Sequence, residues 1–245
     1  MPITDPLLLA SVVLLLGVIL GIALFRGDYC MVAMLRDFFL IRDTTLLRSY
    51  AIYFVMASAL FHLGGLAGLI PFLPPPTLQP PSLPTLAGGF LFGVGMVLAG
   101  GCVVGTLYKM AAGNLTNWIG FGGILAGSLL YAEVHPWIRR IAEKTTFIEA
   151  LTVGQGHPLS QTLLLAILLA GGGMMIGRWL RRGELTVTAY ARGYLQPWRV
   201  AVILALVNFC YYALTGSPMG VTTAFAKIAA YLEQLVLPGH VAALS

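Results

Sequence analysis

The chain has 245 residues, 58% of them hydrophobic and only 9% charged. Soluble domains carry about 25% charged residues, so a water-soluble globular fold is excluded and the chain reads as an all-α polytopic membrane protein. The formal net charge of +5 comes mostly from arginines in short connections, where it reports membrane topology and gives no reason to expect nucleic-acid binding. Cys30, Cys102 and Cys210 are far apart and form no CxxC, so their spacing suggests neither a metal site nor a dithiol pair, and no cofactor is expected.

Leu7–Phe25 approaches the roughly 20 apolar residues that cross a bilayer. It has no basic flank before it and is dotted with glycine, so it is expected to stay in the membrane rather than be cleaved as a signal peptide. It ends at Arg26-Gly27-Asp28-Tyr29-Cys30. Gly27 and Asp28 are breakers there, with Asp28 the expected N-cap of a short helix over Cys30–Leu40. A second crossing is predicted over Leu46–Ile70. Pro71–Pro84, rich in proline and free of charge, reads as an extended exterior loop.

Leu86–Leu98 is the next apolar segment. Gly100-Gly101 breaks it, a short helix Cys102–Ala112 follows, and Gly113-Asn114 makes a second break. Cys102 lies between Gly101 and Gly105. Lys109 comes seven residues after it, almost two helical turns, so the two share one helix face. An ammonium and a broken helix are costly in hydrocarbon, which marks this stretch as one that handles a polar solute. Trp118–Ala132 is a further span, and Gly113, Gly120, Gly122, Gly123 and Gly127 read as close helix packing rather than phosphate binding. Asn114 and Asn117 read as helix caps.

His135–Gln155 is expected to leave the membrane, with a short interfacial helix at Pro136–Ile141. Leu163–Ile176 crosses again, and Arg178, Arg181, Arg182, Arg192 and Arg199 crowd the next connection. Val200–Leu214 crosses back, Thr215-Gly216-Ser217-Pro218 breaks it, and Met219–Leu237 begins another helix. The positive-inside rule places Arg26–Arg48 and Arg178–Arg199 in the cytoplasm and the prolines outside.

Two breaks invite comparison. Phe25–Val32 can be laid on Leu214–Val221, with Gly27 on Gly216 and Cys30 on Met219: a span, a glycine break, a sulphur residue and a short helix. Because the two spans run in opposite directions, this is the form of an inverted repeat whose short helices turn positive N-termini toward an anion. The expected organisation is a single transmembrane domain. Residues 1–132 form the first repeat, 133–195 a connecting loop, a span and a basic cytoplasmic loop, and 196–245 the start of a second repeat.

Gly101-Cys102-Val103-Val104-Gly105, followed by Gly113, Trp118 and the later glycines, is similar to the GCxxG signature of the YeeE/YedE family. Tyr29-Cys30-Met31-Val32-Ala33 with Arg36-Asp37, and Gly216–Thr222, resemble that family's other recurring segments, in matching order along most of the chain. The resemblance implies a bacterial inner-membrane transporter of sulphur-containing ions, thiosulfate above all, with selenium-related members as a variant. It implies a helical inverted repeat whose short re-entrant helices meet at a cysteine-lined constriction, and a cytoplasmic sulphur-carrier protein as a partner besides the lipid bilayer. The family pattern also leads to a second GCxxG. These residues contain one, so the second repeat is expected to be incomplete here, the chain being a fragment or its missing half-repeat coming from elsewhere.

The candidate pathway residues are therefore Cys30, Cys102, Met219, Lys109, Gly101 and Gly105, none of them catalytic. Neutral thiols offer weak S–H donors and soft contacts to a terminal sulphur, whereas a thiolate would repel an anion. Weak successive sites suit passage, so a non-covalent relay with no persulfide is expected. Cys210, in mid-span, reads as ordinary packing. A membrane thiol redox enzyme using Cys30 and Cys102 is the alternative class; it wants a close reactive pair, and no CxxC supplies one. The topology has a direct check. A Thr77→Cys probe in intact cells should react with an impermeant maleimide added outside, and reaction from the cytoplasmic face alone would reverse the orientation.

Overall fold

The computed structural model describes residues 6–70, 81–147, 158–188 and 192–236. Residues 71–80 of the proline loop, residues 148–157 of the loop after Ala132 and the end of the last predicted helix beyond Val236 lie outside the described residues. Helices account for most of what is described: α1 (Pro6–Gly27), α2 (Met31–Leu40), α3 (Thr45–Leu66), α4 (Leu83–Ala99), α5 (Val103–Ala111), α6 (Leu115–Lys144), α7 (Pro158–Arg182), α8 (Pro197–Thr215) and α9 (Val221–Val236).

Among the described residues six segments are long and apolar enough to cross a membrane: Leu7–Leu40, Thr45–Leu66, Leu83–Ala111, Leu115–Lys144, Leu163–Arg182 and Pro197–Thr215. Their surfaces agree. Leu7, Leu98 and Ile119 are 86%, 83% and 80% exposed, an arrangement that water would punish and lipid accepts. The protein is an all-α polytopic membrane protein. The 10 residues of α2 and the 9 of α5 rise only about 15 Å at 1.5 Å per residue, half the thickness of a hydrocarbon core.

The chain divides into two compact units, Met1–Leu78 with Thr152–Met219, and Gln79–Leu151 with Gly220–Ser245. In the first unit α3 and α8 form the most extensive helix pair, with α1 on α8 and with α2 and α7 on α3. Val200, Ala201 and Ala205 of α8 are fully buried; small residues one turn apart let helix backbones approach. A Cβ on Gly27 would collide with Val200, one on Gly64 with Phe209, and one on Gly172 with Val55.

The same unit joins the two basic segments. Arg48 Nη1 lies 2.9 Å from Glu184 Oε2 and donates to the Glu184 carbonyl at 3.2 Å, with its guanidinium 5.7 Å from the Trp179 ring centre. Leu195 N–H donates to the Arg26 carbonyl at 3.0 Å. Arg26 and Arg48 thus share one end of the unit with the Arg178–Arg199 connection, as two segments on one side of a membrane must. At the same end Thr45 donates to the Asp43 carboxylate from its hydroxyl (2.6 Å) and its N–H (2.9 Å). These bonds hold the Asp43 carboxyl below its ordinary range and close the start of α3.

In the second unit α6 packs against α4, α5 and α9, with Phe121 set edge-on to Phe225 at 5.3 Å. Three expectations change. The separate helix predicted at Pro136–Ile141 merges into α6, which runs through Pro136 to Lys144. Proline removes one N–H and bends a helix without ending it when neighbouring turns hold. Here Arg139 pairs with Glu143 at 3.3 Å, and Tyr131 meets His135 at 3.3 Å, each at i,i+4.

The glycine run after Gly113 is not the tight contact. A Cβ on Gly122, Gly123 or Gly127 would meet nothing within 4 Å, and one on Gly120 would make ordinary contact with Thr106 at 3.5 Å. Close approach is carried by Gly27, Gly64 and Gly172, which no local motif announces because the partner lies on a distant helix. Asn114 caps α6, accepting from Thr116 N–H at 3.1 Å, whereas Asn117 is buried inside its first turn.

Gly172→Ala should therefore destabilise the detergent-solubilised protein by about 1–3 kcal/mol, the usual range for overpacking. Val55→Ala in the same chain should recover most of that loss. Thermal unfolding of the two single variants and the double variant checks it, and purely additive losses would contradict the contact.

Candidate functional site

Several helices of this chain end in the same left-handed turn, at Gly68, Gly113 and Gly183 among others, and two of these endings lead into a short helix capped by a cysteine. At the end of α1, Asp28 N–H donates to the Phe25 carbonyl (3.3 Å) and Tyr29 N–H to Leu24 (3.1 Å). At the end of α4, Gly100 N–H donates to Val97 and Gly101 N–H to Met96, both at 3.2 Å. These are the two bonds of a Schellman ending, with Asp28 (φ 42°) and Gly100 (φ 64°) in the left-handed position. Two residues on, each chain reaches an extended cysteine that is the N-cap of a short helix: Cys30 (φ −129°, ψ 130°) before α2 and Cys102 (φ −75°, ψ 172°) before α5.

Cys30 therefore corresponds to Cys102 residue for residue. The letters hide this because an aspartate stands where the second break has glycine; Asp tolerates the left-handed region better than most residues. Asp28 is accordingly the turn residue rather than the N-cap of α2. Gly27, the residue first laid on Gly216, is instead the last of α1 and packs against Val200. The third break ends α8 at Gly216 (φ 68°) with one bond, Gly216 N–H to the Tyr212 carbonyl at 2.8 Å. Met219 follows, half-buried, ahead of α9.

Around Cys102 the groups converge. Its sulphur accepts from Gly105 N–H at 3.3 Å, which meets one of the orphan donors of the α5 N-terminus. Lys109 reaches back from the far end of α5 and donates to the Gly100 carbonyl at 3.2 Å. Its ammonium thus stands at the break, on the face it was expected to share with Cys102. Gly101 and Gly105 are buried; a Cβ on Gly101 would sit 3.6 Å from Thr106 N, against the first turn of α5. Half-buried thiol, helix N-terminus and ammonium give a local positive potential with one soft group in it.

Cys30 is placed differently. It is fully buried and its side chain makes no cap bond. Cys210 is exposed on α8. All three cysteines are thiols. A polar cluster in the first unit escaped the sequence reading: Tyr29 stacks on Tyr50 with ring centres 4.5 Å apart, and Asn208 Nδ2 donates to the Tyr53 hydroxyl at 3.1 Å. The available signal was an asparagine inside an apolar span opposite tyrosines spaced at i,i+3.

Membrane-length helices interrupted at capped, sulphur-bearing breaks define a polytopic membrane protein with polar groups held inside it. Residues 26–244 match the family model described as sulphur transport, and the chain belongs to that family, the YeeE/YedE proteins. It is 36% identical over 119 residues to the thiosulfate transporter TsuA of Spirochaeta thermophila, covering 49% of this chain and 34% of that protein. It is 26% identical over 242 residues to TsuA of Escherichia coli, covering 89% of this chain and 66% of that one. To the probable transporter YedE of Escherichia coli it is 25% identical over 173 residues, covering 69% and 41%. The matched regions thus make up between a third and two thirds of the length of these relatives.

The cap and the candidate binding role of Cys102 are separable. Serine is a strong N-cap, so Cys102→Ser should leave thermal stability unchanged or slightly raised. Cys102→Ala should lower it by roughly the 0.5–2 kcal/mol of a lost cap, measured by unfolding in detergent.

Proposed function

We propose that the protein takes up a small sulphur-containing anion, thiosulfate foremost, across the bacterial inner membrane, and that it is not an enzyme. The observation that carries the reading is the Cys102 break, where a half-buried thiol, the start of α5 and the Lys109 ammonium meet at Gly100 in an apolar chain. Membership of the sulphur transport family supports it, as do relatives named as thiosulfate transporters.

Thiosulfate has a hard oxyanion end and a large, polarisable terminal sulphur. A protonated thiol gives that sulphur a weak donor and a soft contact without fixing a charge of its own. Peptide N–H groups and the helix start give the oxyanion its positive potential. The ion then moves along Cys30, Cys102 and Met219, a cysteine-lined relay of weak stations, with Lys109 drawing it in and Gly101 and Gly105 keeping the backbone of the break small. No covalent bond to sulphur forms. The arrangement of residues 1–132 and 196–245 as opposed repeats with re-entrant helices belongs to the same reading, as does delivery to a cytoplasmic sulphur-carrier protein. A thiol redox enzyme would need a close reactive cysteine pair, and no CxxC supplies one.

The test is growth on thiosulfate as sole sulphur source, in a host lacking its own uptake and expressing this protein. The parent chain should support growth. Cys102→Ser should cut labelled-thiosulfate uptake at least tenfold while folding survives. Undiminished uptake by a well-folded Cys102→Ala protein would overturn the relay, and growth restored only by a selenium compound would reassign the substrate.

A further inference from the structure

Tyr29 stands between the left-handed Asp28 and the N-cap Cys30. The residue is 3% exposed, and its hydroxyl is buried with no hydrogen-bond partner among the described residues. Its ring is held firmly, stacked on Tyr50 at 4.5 Å. Tyr53 lies one turn along α3 from Tyr50, on the same face, and receives the Asn208 amide at 3.1 Å. Within the first unit the residue next to Cys30 thus belongs to a group of a stacked phenol pair, a further phenol and an amide, inside a unit whose outer surface is built for lipid.

A buried hydroxyl left unbonded costs much of a hydrogen bond, and native interiors keep few of them. Phenylalanine at position 29 would fill the same space and stack on Tyr50 in the same way without that cost. Packing therefore does not account for the oxygen.

We infer that the Tyr29 hydroxyl is a hydrogen-bond donor to the oxyanion end of the transported ion, forming with Tyr53 and Asn208 a neutral polar station beside Cys30. This inference rests on the transport reading above and adds to it a site for the oxygens. A phenol O–H is a harder donor than a thiol S–H, and consecutive residues 29 and 30 supply one of each. An ion with oxygens at one end and sulphur at the other is matched by the pair; an ion with one kind of end is matched by only half of it. Because neither group carries charge, the station binds weakly enough to release.

The experiment is Tyr29→Phe in the otherwise unchanged chain, read by thermal unfolding and by the concentration dependence of labelled-thiosulfate uptake. The melting temperature is expected to stay the same or rise, because a buried unpaired oxygen is removed. KM is expected to rise about tenfold, the scale of one lost hydrogen bond to a charged ligand. Unchanged KM with normal uptake by the parent would overturn this inference and leave the transport reading standing. A melting temperature lowered by several degrees would overturn it too, since the hydroxyl would then be serving the fold. Absence of thiosulfate uptake by the parent chain would overturn both.

Discussion

Hydrocarbon supplies no hydrogen bonds, so every place where a helix stops inside an apolar segment must close its own peptide groups. This constraint shapes the two breaks. The Schellman bonds at Asp28 and Tyr29, and at Gly100 and Gly101, satisfy the last carbonyls of α1 and α4. On the other side of the second break, Cys102 and Lys109 meet a peptide N–H of α5 and the carbonyl of Gly100. A chain that satisfies these groups with thiol and ammonium side chains has also placed a soft donor and a cation where an ion could use them. Structure and chemistry draw on the same atoms here, and serine at position 102 is informative because it preserves one use and not the other.

The two cysteine-capped breaks are alike in geometry and unlike in surroundings. Cys102 is half-buried beside a lysine; Cys30 is sealed beside tyrosines and carries no cap bond. One break brings positive charge, the other neutral hydroxyls and an amide. On the transport reading proposed above, attraction at one point and easy release at another would come from one repeated backbone motif with different residues packed around it.

Much of this was legible in the sequence, for physical reasons. Apolar runs at membrane length have few alternatives, so α1, α3, α4 and α8 are placed within a few residues, while α7 extends about a turn and a half beyond its apolar run at each end. Gly100-Gly101 and Gly113-Asn114 are strong local breakers, and the short helix between them was correctly bounded. The failures at the glycines share a cause: each depended on something far away in the chain. Gly27 looked like the turn residue, but it is the last residue of α1, with no room for a Cβ beside Val200, and the left-handed position falls on Asp28. The glycines of α6 looked like a packing seam, yet the seams lie at Gly64 and Gly172, whose partners Phe209 and Val55 cannot be guessed from spacing. Pro136 looked like the first turn of a separate helix, where proline is at home, whereas α6 runs through it from Leu115 to Lys144. The tyrosine cluster was missed because tyrosine inside a span is usually read as an interfacial anchor.

The length of α6 has its own consequence. Its 30 residues rise about 45 Å, while a hydrocarbon core is about 30 Å thick. The excess lies in the polar final turns, after the exposed rings of Tyr131 and Trp137, which are the kind of side chain that settles at a headgroup layer. A helix with spare polar length meets a thicker bilayer by drawing more of itself in and a thinner one by letting more of itself out, with little need to tilt. The rings of Tyr131 and Trp137, rather than the helix's last turn, are thus the side chains suited to mark where α6 meets a headgroup layer.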